Sequence, residues 1–566
     1  MKMISEQKQY AGAHLIILGM LIFLYAFSLF KNISYPLLWN DEAETAVYAE
    51  RILDFGYPRV HDGKNALNLF SSNMDMALKE PYDAYIGSVW GQYYFCVPGA
   101  WLARKTDDLY LKSALMRIPF ALAGMIGVFL SAGLVISFYT GKMAKLRYMI
   151  LFLLMELVSV VLILYLREVR YYSLLIFLTS GVLCLYTAWK FHKRISDRNY
   201  SILMVFFLFL LFNVFHPVMI GLVCFLTAYE IIGWFWVRLS KQSEPAGENG
   251  GSLKALFRAL LPMMVAFVLI LPLVHFFEMV KLSAYYSSMR GYSWLKYFNH
   301  IRIIWIFYLQ NDLLLPVLLI KALLVFLRLS NRSLLKNMPV MLLQCKYSDF
   351  LFFFFISMVL FIARIPLLWE RYYVWMHPFW MAMFILDLTL IVDLLKANGL
   401  WGERRIKMQV ILLIVILCGH VAWEKRWIVR AHLYELFHQY KGPLDFVIPY
   451  LRDHYPHPEQ LVIATNYEEP SYMYYLRCKV TVGFTRNNIE EDRKISPDII
   501  IYRKNWNGLQ ADILSELYQQ GRFNRVSFPV FDYPVNNIPE TKMHLYKTGL
   551  SSNEEDCAQI LEKIRT

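Results

Sequence analysis

The chain is poor in charge, in patterned cysteine and in nucleotide-binding glycine motifs, and each shortage removes a class of function. Charged residues make up 18% of the 566, against about 25% in a typical soluble protein, which argues against a soluble globular fold. Seven cysteines are scattered at 96, 184, 224, 345, 418, 478 and 557 without a CxxC pair. That spacing supports neither a disulfide framework nor a zinc site. No glycine fingerprint for a bound nucleotide follows a strand-like segment. The net charge is +13, but the basic residues form short clusters rather than a stripe, and no RNA-reading motif accompanies them, so no nucleic-acid partner is expected. Internal repeats are absent as well, which weighs against the inverted-repeat architecture of many transporters.

What is present is apolar and comes in blocks. Hydrophobic residues reach 57% and aromatic ones 16%, in runs that match the roughly 20 residues a helix needs to cross a bilayer. The runs fall at 11–30, 115–139, 148–166, 171–190, 200–215, 217–238, 259–277, 303–327, 349–364, 372–395 and 408–424, which predicts eleven spans. Lys2 and Lys8 precede the first run and no small-residue cleavage site follows it, so it reads as an anchor rather than a removed signal. The connecting segments 140–147, 190–199, 238–258, 328–346 and 396–407 are all basic. With a cytoplasmic N-terminus and eleven spans, every one of them lies on the cytoplasmic side, as the positive-inside rule requires. Residues 84–103 are apolar enough to be a twelfth span, but counting them would invert the later loops. They are therefore expected to lie at the outer interface, where Trp90, Tyr93, Tyr94 and Trp101 suit the headgroup boundary.

Two soluble regions remain. One is a long first outer loop, 31–114, within a membrane module 1–424. The other is the tail, 425–566, where LVIAT (461–465), KVTVGF (479–484), DIIIY (498–502) and MHLYK (543–547) read as strands. PLDFVIPYLRDHY (443–455) and LQADILSELYQQ (509–520) read as helices, an alternation that predicts a small extracytoplasmic α/β domain. The Gly/Ser/Glu-rich stretch 241–252 reads as a flexible cytoplasmic linker.

Polar chemistry concentrates where the apolar blocks end. After the first span comes Trp39-Asn40-Asp41-Glu42-Ala43-Glu44 and a helical pattern that stops at Gly56 and Pro58, with Asn40 as the expected N-cap. Acids at a helix start complement its dipole by about 0.3–1 kcal/mol each, a structural role open to all three. Arg167-Glu168-Val169-Arg170-Tyr171 separates two apolar runs with almost no loop to solvate it. Charges at membrane depth cost about 2.5–3.5 kcal/mol each at a helix centre and usually mark a site. Arg371, in Trp369-Glu370-Arg371-Tyr372-Tyr373, and Arg117, in Met116-Arg117-Ile118-Pro119, fall on the same outer side, and His216-Pro217 occupies a tight outer turn. Glu156, in mid-span, reads as a paired acid inside the bundle. One carboxylate base beside several arginines suits attack on a sugar linked to phosphate. A phosphate leaves as a stable anion, so the second carboxylate that glycosidases use to protonate an alkoxide is not required.

These stretches resemble a known class. WNDEAETAVYAERILDFGYPR (39–59), LMRIPFALAG (115–124), LREVRYYSLL (166–175) and ERYYVWMHP (370–378) look like the GT-C glycosyltransferases, in the branch of the protein O-mannosyltransferases and the lipid A aminoarabinose transferase. The resemblance implies an all-α polytopic membrane module with a C-terminal extracytoplasmic α/β domain. It implies Asp41 as catalytic base, Glu42 and Glu168 as candidate second acids, and Arg117, Arg167, Arg170, Tyr171 and Arg371 around the donor phosphate. Asp62, Lys64, Lys79, His216 and Tyr372 are further candidate substrate contacts. The family's Lys-Pro-Pro stretch is matched only in part by Lys79-Glu80-Pro81, and Glu168 stands where an aspartate is common. The Asp-x-Asp and WWD motifs of oligosaccharyltransferases are missing, which points to metal-independent, cofactor-free chemistry. The expected activity is inverting transfer of a hexosyl or pentosyl group from a polyprenyl-phosphate carrier to a hydroxyl of a protein, cell-envelope glycan or lipid, at the outer face of the cell membrane. The rival is a transporter that flips a lipid-linked sugar without chemistry.

Overall fold

The computed structural model describes residues 2–67, 77–239, 253–289, 291–399, 404–439, 441–482, 492–503, 511–532 and 557–564. The linker 241–252 and the strand expected at 543–547 lie outside these residues.

Among the described residues the membrane module is helical, apart from one short pair of strands in its first loop. Helix α1 (Lys2–Phe30) leads into the first outer loop, which holds α2 (Asn40–Phe55), the paired strands β1 (Leu78–Lys79) and β2 (Ala84–Tyr85), and α3 (Gly91–Ala103). At 13 residues, α3 is about 20 Å long, too short to span, in keeping with the interfacial placement of 84–103. Then follow α4 (Leu109–Ile136), α5 (Lys142–Leu157), α6 (Val160–Leu166), α7 (Tyr172–Lys190) and α8 (Asp197–Leu239). The module continues with α9 (Leu253–Phe276), α10 (Met279–Met289), α11 (Trp294–Asn311), α12 (Leu314–Ser330), α13 (Arg332–Lys336), α14 (Pro339–Ile362), α15 (His377–Ala397) and α16 (Arg404–Phe437). Asp108 caps α4, accepting from the amides of Tyr110 and Leu111 at 2.9 Å each. Helices α4 and α7 pack closely because α4 is glycine there: a Cβ on Gly127 would sit 2.6 Å from the Phe177 backbone nitrogen.

Among the described residues seven helices are long and apolar enough to span, or nine if each of two bent pairs counts as one. The expected spans 148–166 and 303–327 are those bent pairs, α5 with α6 at 81° and α11 with α12 at 91°. The expected pair 200–215 and 217–238 is a single helical run, α8, interrupted by Phe215 at φ −159, ψ 93. Near one end of α8 Tyr200 stacks on Trp189 at 4.3 Å, and towards the other Glu230 takes Lys190 at 2.6 Å. Its middle stacks Phe215 on Tyr171 at 4.7 Å. Both ends thus meet the C-terminus of α7 while the centre meets its N-terminus, so α8 folds back on itself. The expected span 408–424 lies inside α16, which runs unbroken through residue 424 to Phe437.

The tail is the expected α/β domain. Helix α17 (Leu444–His454), β3 (Val462–Thr465), α18 (Glu469–Leu476), β4 (Lys479–Val482), β5 (Ile499–Ile501), α19 (Ala511–Gln519), β6 (Phe523–Phe531) and β7 (Cys557–Lys563) follow in order. The sheet order is β4-β3-β5-β7-β6, parallel around β3 and antiparallel around β7. The domain is stitched to the first outer loop. Lys64 donates to the carbonyls of Glu459 and Arg477, Asn65 pairs with the backbone of Cys478 and Val480, and Ser471 and Tyr475 of α18 clasp both backbone groups of Leu38.

Candidate active site

Helix α2 starts at Asn40, so Asn40 is its first residue rather than its cap; Trp39 holds the cap position, and the Asn40 amide donates to Asp41 Oδ1 at 3.4 Å. The expected stop is real: Gly56 adopts a left-handed φ of 84 and donates to the Ile52 carbonyl. The first turn of α2 meets the loop between α6 and α7, residues 167–171, and the short turns that precede α15.

Two kinds of charged contact result. The first is closed. Arg117 of α4 clasps Glu42 through Nε at 2.8 Å and Nη2 at 2.5 Å, and spends Nη1 on the carbonyls of Ile33 and Pro36. Glu42 also accepts the Val169 amide at 3.0 Å. Arg167 turns to Glu435 of α16 at 3.2 Å and to the carbonyls of Lys31 and Asn32. None of these side chains keeps more than 4% exposure.

The second contact is open. Asp41 Oδ2 receives Arg371 Nη1 at 2.7 Å and has Arg170 Nη2 at 3.7 Å, and the three side chains keep 15%, 21% and 13% of their exposure. Arg170 reaches Glu44 Oε2 at 3.5 Å as well, and Tyr93 of α3 donates to Glu44 Oε1 at 3.2 Å. Glu168 is fully buried and neither of its oxygens has a hydrogen-bond partner. Behind the arginines, Phe215 is sandwiched by Tyr171 and Tyr372, the latter at 5.6 Å, with His216 beside it.

The electrostatics separate the acids. Burial works against the Asp41 carboxylate, but Arg371 and then Arg170 outweigh it and hold its pKa below the ordinary aspartate value. Burial pushes Glu44 up to about 7, with Arg170 pulling the other way. Burial, then the Glu42 charge, holds Glu168 well above the ordinary glutamate range. Arg170 loses to burial but gains more from Asp41 and Glu44, and stays charged.

The remaining sequence candidates sit elsewhere. Asp62 bonds Arg51 at 2.8 Å and the amides of Lys64 and Asn65, which places it with Lys64 at the seam to the α/β domain. Lys79 pairs with Glu278 at 2.6 Å. Glu156 lies inside the bundle 3.7 Å from His377, as a paired acid. Three residues in or near the open contact were assigned no part in the site by the sequence reading: Glu44, Tyr93 and Tyr467. The three-residue spacing of Asp41 and Glu44 on one helix face was the available signal for Glu44. Tyr467, in the β3–α18 loop, lies close enough to feel the charges of Asp41 and Arg371, and no sequence pattern points to it. Among the described residues no cluster of three or more His, Cys, Asp or Glu side chains could hold a metal ion.

No protein-family model and no curated protein matches the chain. Among solved structures, it is similar in overall fold to the crystal structure of ArnT from Cupriavidus metallidurans bound to undecaprenyl phosphate. The identity is 13% and the TM-score 0.45, over 87% of this chain and 93% of that one.

Proposed function

We propose that the chain is a membrane-embedded inverting glycosyltransferase that takes a sugar from a polyprenyl-phosphate carrier and passes it to an acceptor hydroxyl. One observation carries the reading: Asp41, Arg170 and Arg371 come from three separate segments and meet in one partly open cluster at 2.7 and 3.7 Å. Asp41 would take the proton of the acceptor hydroxyl as its oxygen attacks the anomeric carbon. The bond from that carbon to the phosphate oxygen breaks, its electron pair leaves on the carrier phosphate, and one displacement inverts the anomeric centre. Arg170 and Arg371 would hold that phosphate, since guanidinium forks match phosphate oxygens. Arg117 and Arg167 would act one step back, fixing Glu42 and the 167–171 loop.

The resting contact explains how a weak base can serve. While Arg371 grips Asp41 the carboxylate is too acidic to accept a proton well. An incoming phosphate competes for the same guanidinium groups, which frees Asp41 and raises its proton affinity. A flippase would gain nothing from a carboxylate that repels its cargo.

The test is purified full-length protein with a panel of short-chain prenyl-phosphate sugars and a soluble glycan or peptide acceptor. Release of prenyl phosphate is expected from the native protein, and Asp41→Asn should lower it about 10²–10⁴-fold, the usual cost of losing a general base. Transport of the lipid-linked sugar across a vesicle membrane with no release would favour the transporter instead.

A further inference from the structure

Glu44 stands one helical turn beyond Asp41, with 1% exposure, and one of its oxygens has no hydrogen bond. The charged and titratable groups that act on it most strongly come from its own helix and four other segments. Asp41 and Tyr48 lie on its own helix, Tyr93 on α3 and Tyr85 on β2, with Arg170 from the 167–171 loop and Arg371 from the turns before α15. Burial raises all three tyrosines, so they stay protonated. Arg170 is shared: it lies 3.7 Å from Asp41 and 3.5 Å from Glu44.

Charge balance then makes a demand. Without donor and above the pH at which Glu44 ionises, two carboxylates face two guanidinium groups and the cluster is neutral, with the Glu42–Arg117 pair balanced beside it. A carrier phosphodiester adds one negative charge to a site only partly open to water, where an uncompensated charge is costly. Asp41 must stay ionised to act as base. Glu44 is the carboxyl that can be neutralised at little cost.

We propose that Glu44 is a positioning residue that takes up one proton from solvent as the carrier-linked donor binds, which releases Arg170 from its carboxylate to the donor phosphate. This rests on the glycosyltransferase reading of the site. Glu44 ionises at about 7 in the free protein. The sign follows from linkage: bound anion raises the proton affinity of Glu44, so donor binding is strongest below that pH and weakens above it.

The experiment measures the Kd of a short prenyl phosphate methyl diester on the full-length protein in detergent, from pH 5.5 to 9, with thermal unfolding to confirm that each variant is folded. The probe carries one charge throughout, so any pH dependence belongs to the protein. For the native chain, Kd should be flat below about pH 7 and then rise about tenfold per unit, as one linked proton requires. Glu44→Gln should give a flat profile near the native low-pH value. Tyr93→Phe removes the O–H that steadies the ionised carboxylate, so it should move the inflection to higher pH. A native slope that persists in Glu44→Gln overturns the inference, and if that variant does not fold, an unmoved inflection in Tyr93→Phe does so. Failure of the folded native protein to bind the diester at any pH overturns the glycosyltransferase reading itself.

Discussion

Arg117 and Arg371 differ in what their guanidinium groups have left to offer. Arg117 has Nε and both terminal nitrogens committed to Glu42 and two carbonyls in a closed interior, whereas Arg371 holds Asp41 through one terminal nitrogen in an open one. Removing one partner of a buried pair costs about 3–5 kcal/mol, so Arg117→Ala should unfold at markedly lower temperature and lose activity with the fold. Arg371→Lys should keep its melting temperature and lose about ten- to a hundredfold in turnover, the worth of one charge-assisted bond of about 1.5–3 kcal/mol. Normal melting and full turnover in Arg371→Lys would remove that residue from the chemistry. The motif around Asp41 is legible in sequence because a short acidic run beside a membrane span has few other uses. The partition among the arginines is not, since Arg371 finds Asp41 across 330 positions and only the packed bundle decides which acid each guanidinium meets.

The elements follow hydropathy, and their breaks do not. Averaging over a window finds the apolar stretch from 303 to 327 but is blind to Leu313 at φ 56, where α11 turns into α12. In the sheet, β6 contains Pro529, which ordinarily argues against a strand; it is tolerated because β6 is the edge, and the register shifts between Phe528 and Phe531. The fold-back of α8 has a readable cause. Pro217 lacks the amide that would reach the Asn213 carbonyl, and the chain turns there. Gly91, at the start of α3, packs against that carbonyl so closely that a Cβ would lie 2.4 Å from its oxygen. Gly91→Ala must push α3 off the turn that carries Phe215. Overpacking of this kind typically costs about 1–3 kcal/mol, so a lower melting temperature is expected, with reduced turnover because Phe215 braces Tyr171 and Tyr372. A variant with native melting and turnover would show that the α3–α8 contact has room to spare.

For the whole molecule, parity limits how many times the chain crosses. The bonds of Lys64 and Asn65 to residues 459–480 put the first outer loop and the α/β domain on one side of the membrane. An even number of crossings must therefore separate α1 from the domain. Nine spans, α1 included, satisfy this with eight. The fold-back of α8 adds one crossing, so one more is needed, and α16, which leads into the domain, is the helix placed to supply it. With both additions the count would be eleven, whereas either addition alone would tear the domain from the loop it is bonded to. The apolar runs of the sequence predict the same number, and the basic loops favour it over twelve because basic segments resist translocation. Together they set an expectation for accessibility. Single cysteines at Asp107 and His457, in a chain whose accessible native cysteines are replaced by serine, should react with an impermeant maleimide from the outer face of right-side-out vesicles. A cysteine at Arg194, beside the C-terminal end of α7, which the loop charges predict to be cytoplasmic, should react only after the vesicles are opened. Labelling of Arg194 and His457 from the same face would break the parity. The open cluster of Asp41, Arg170 and Arg371 lies on the side of Asp107 and His457, so the same labels report which compartment the acceptor must come from.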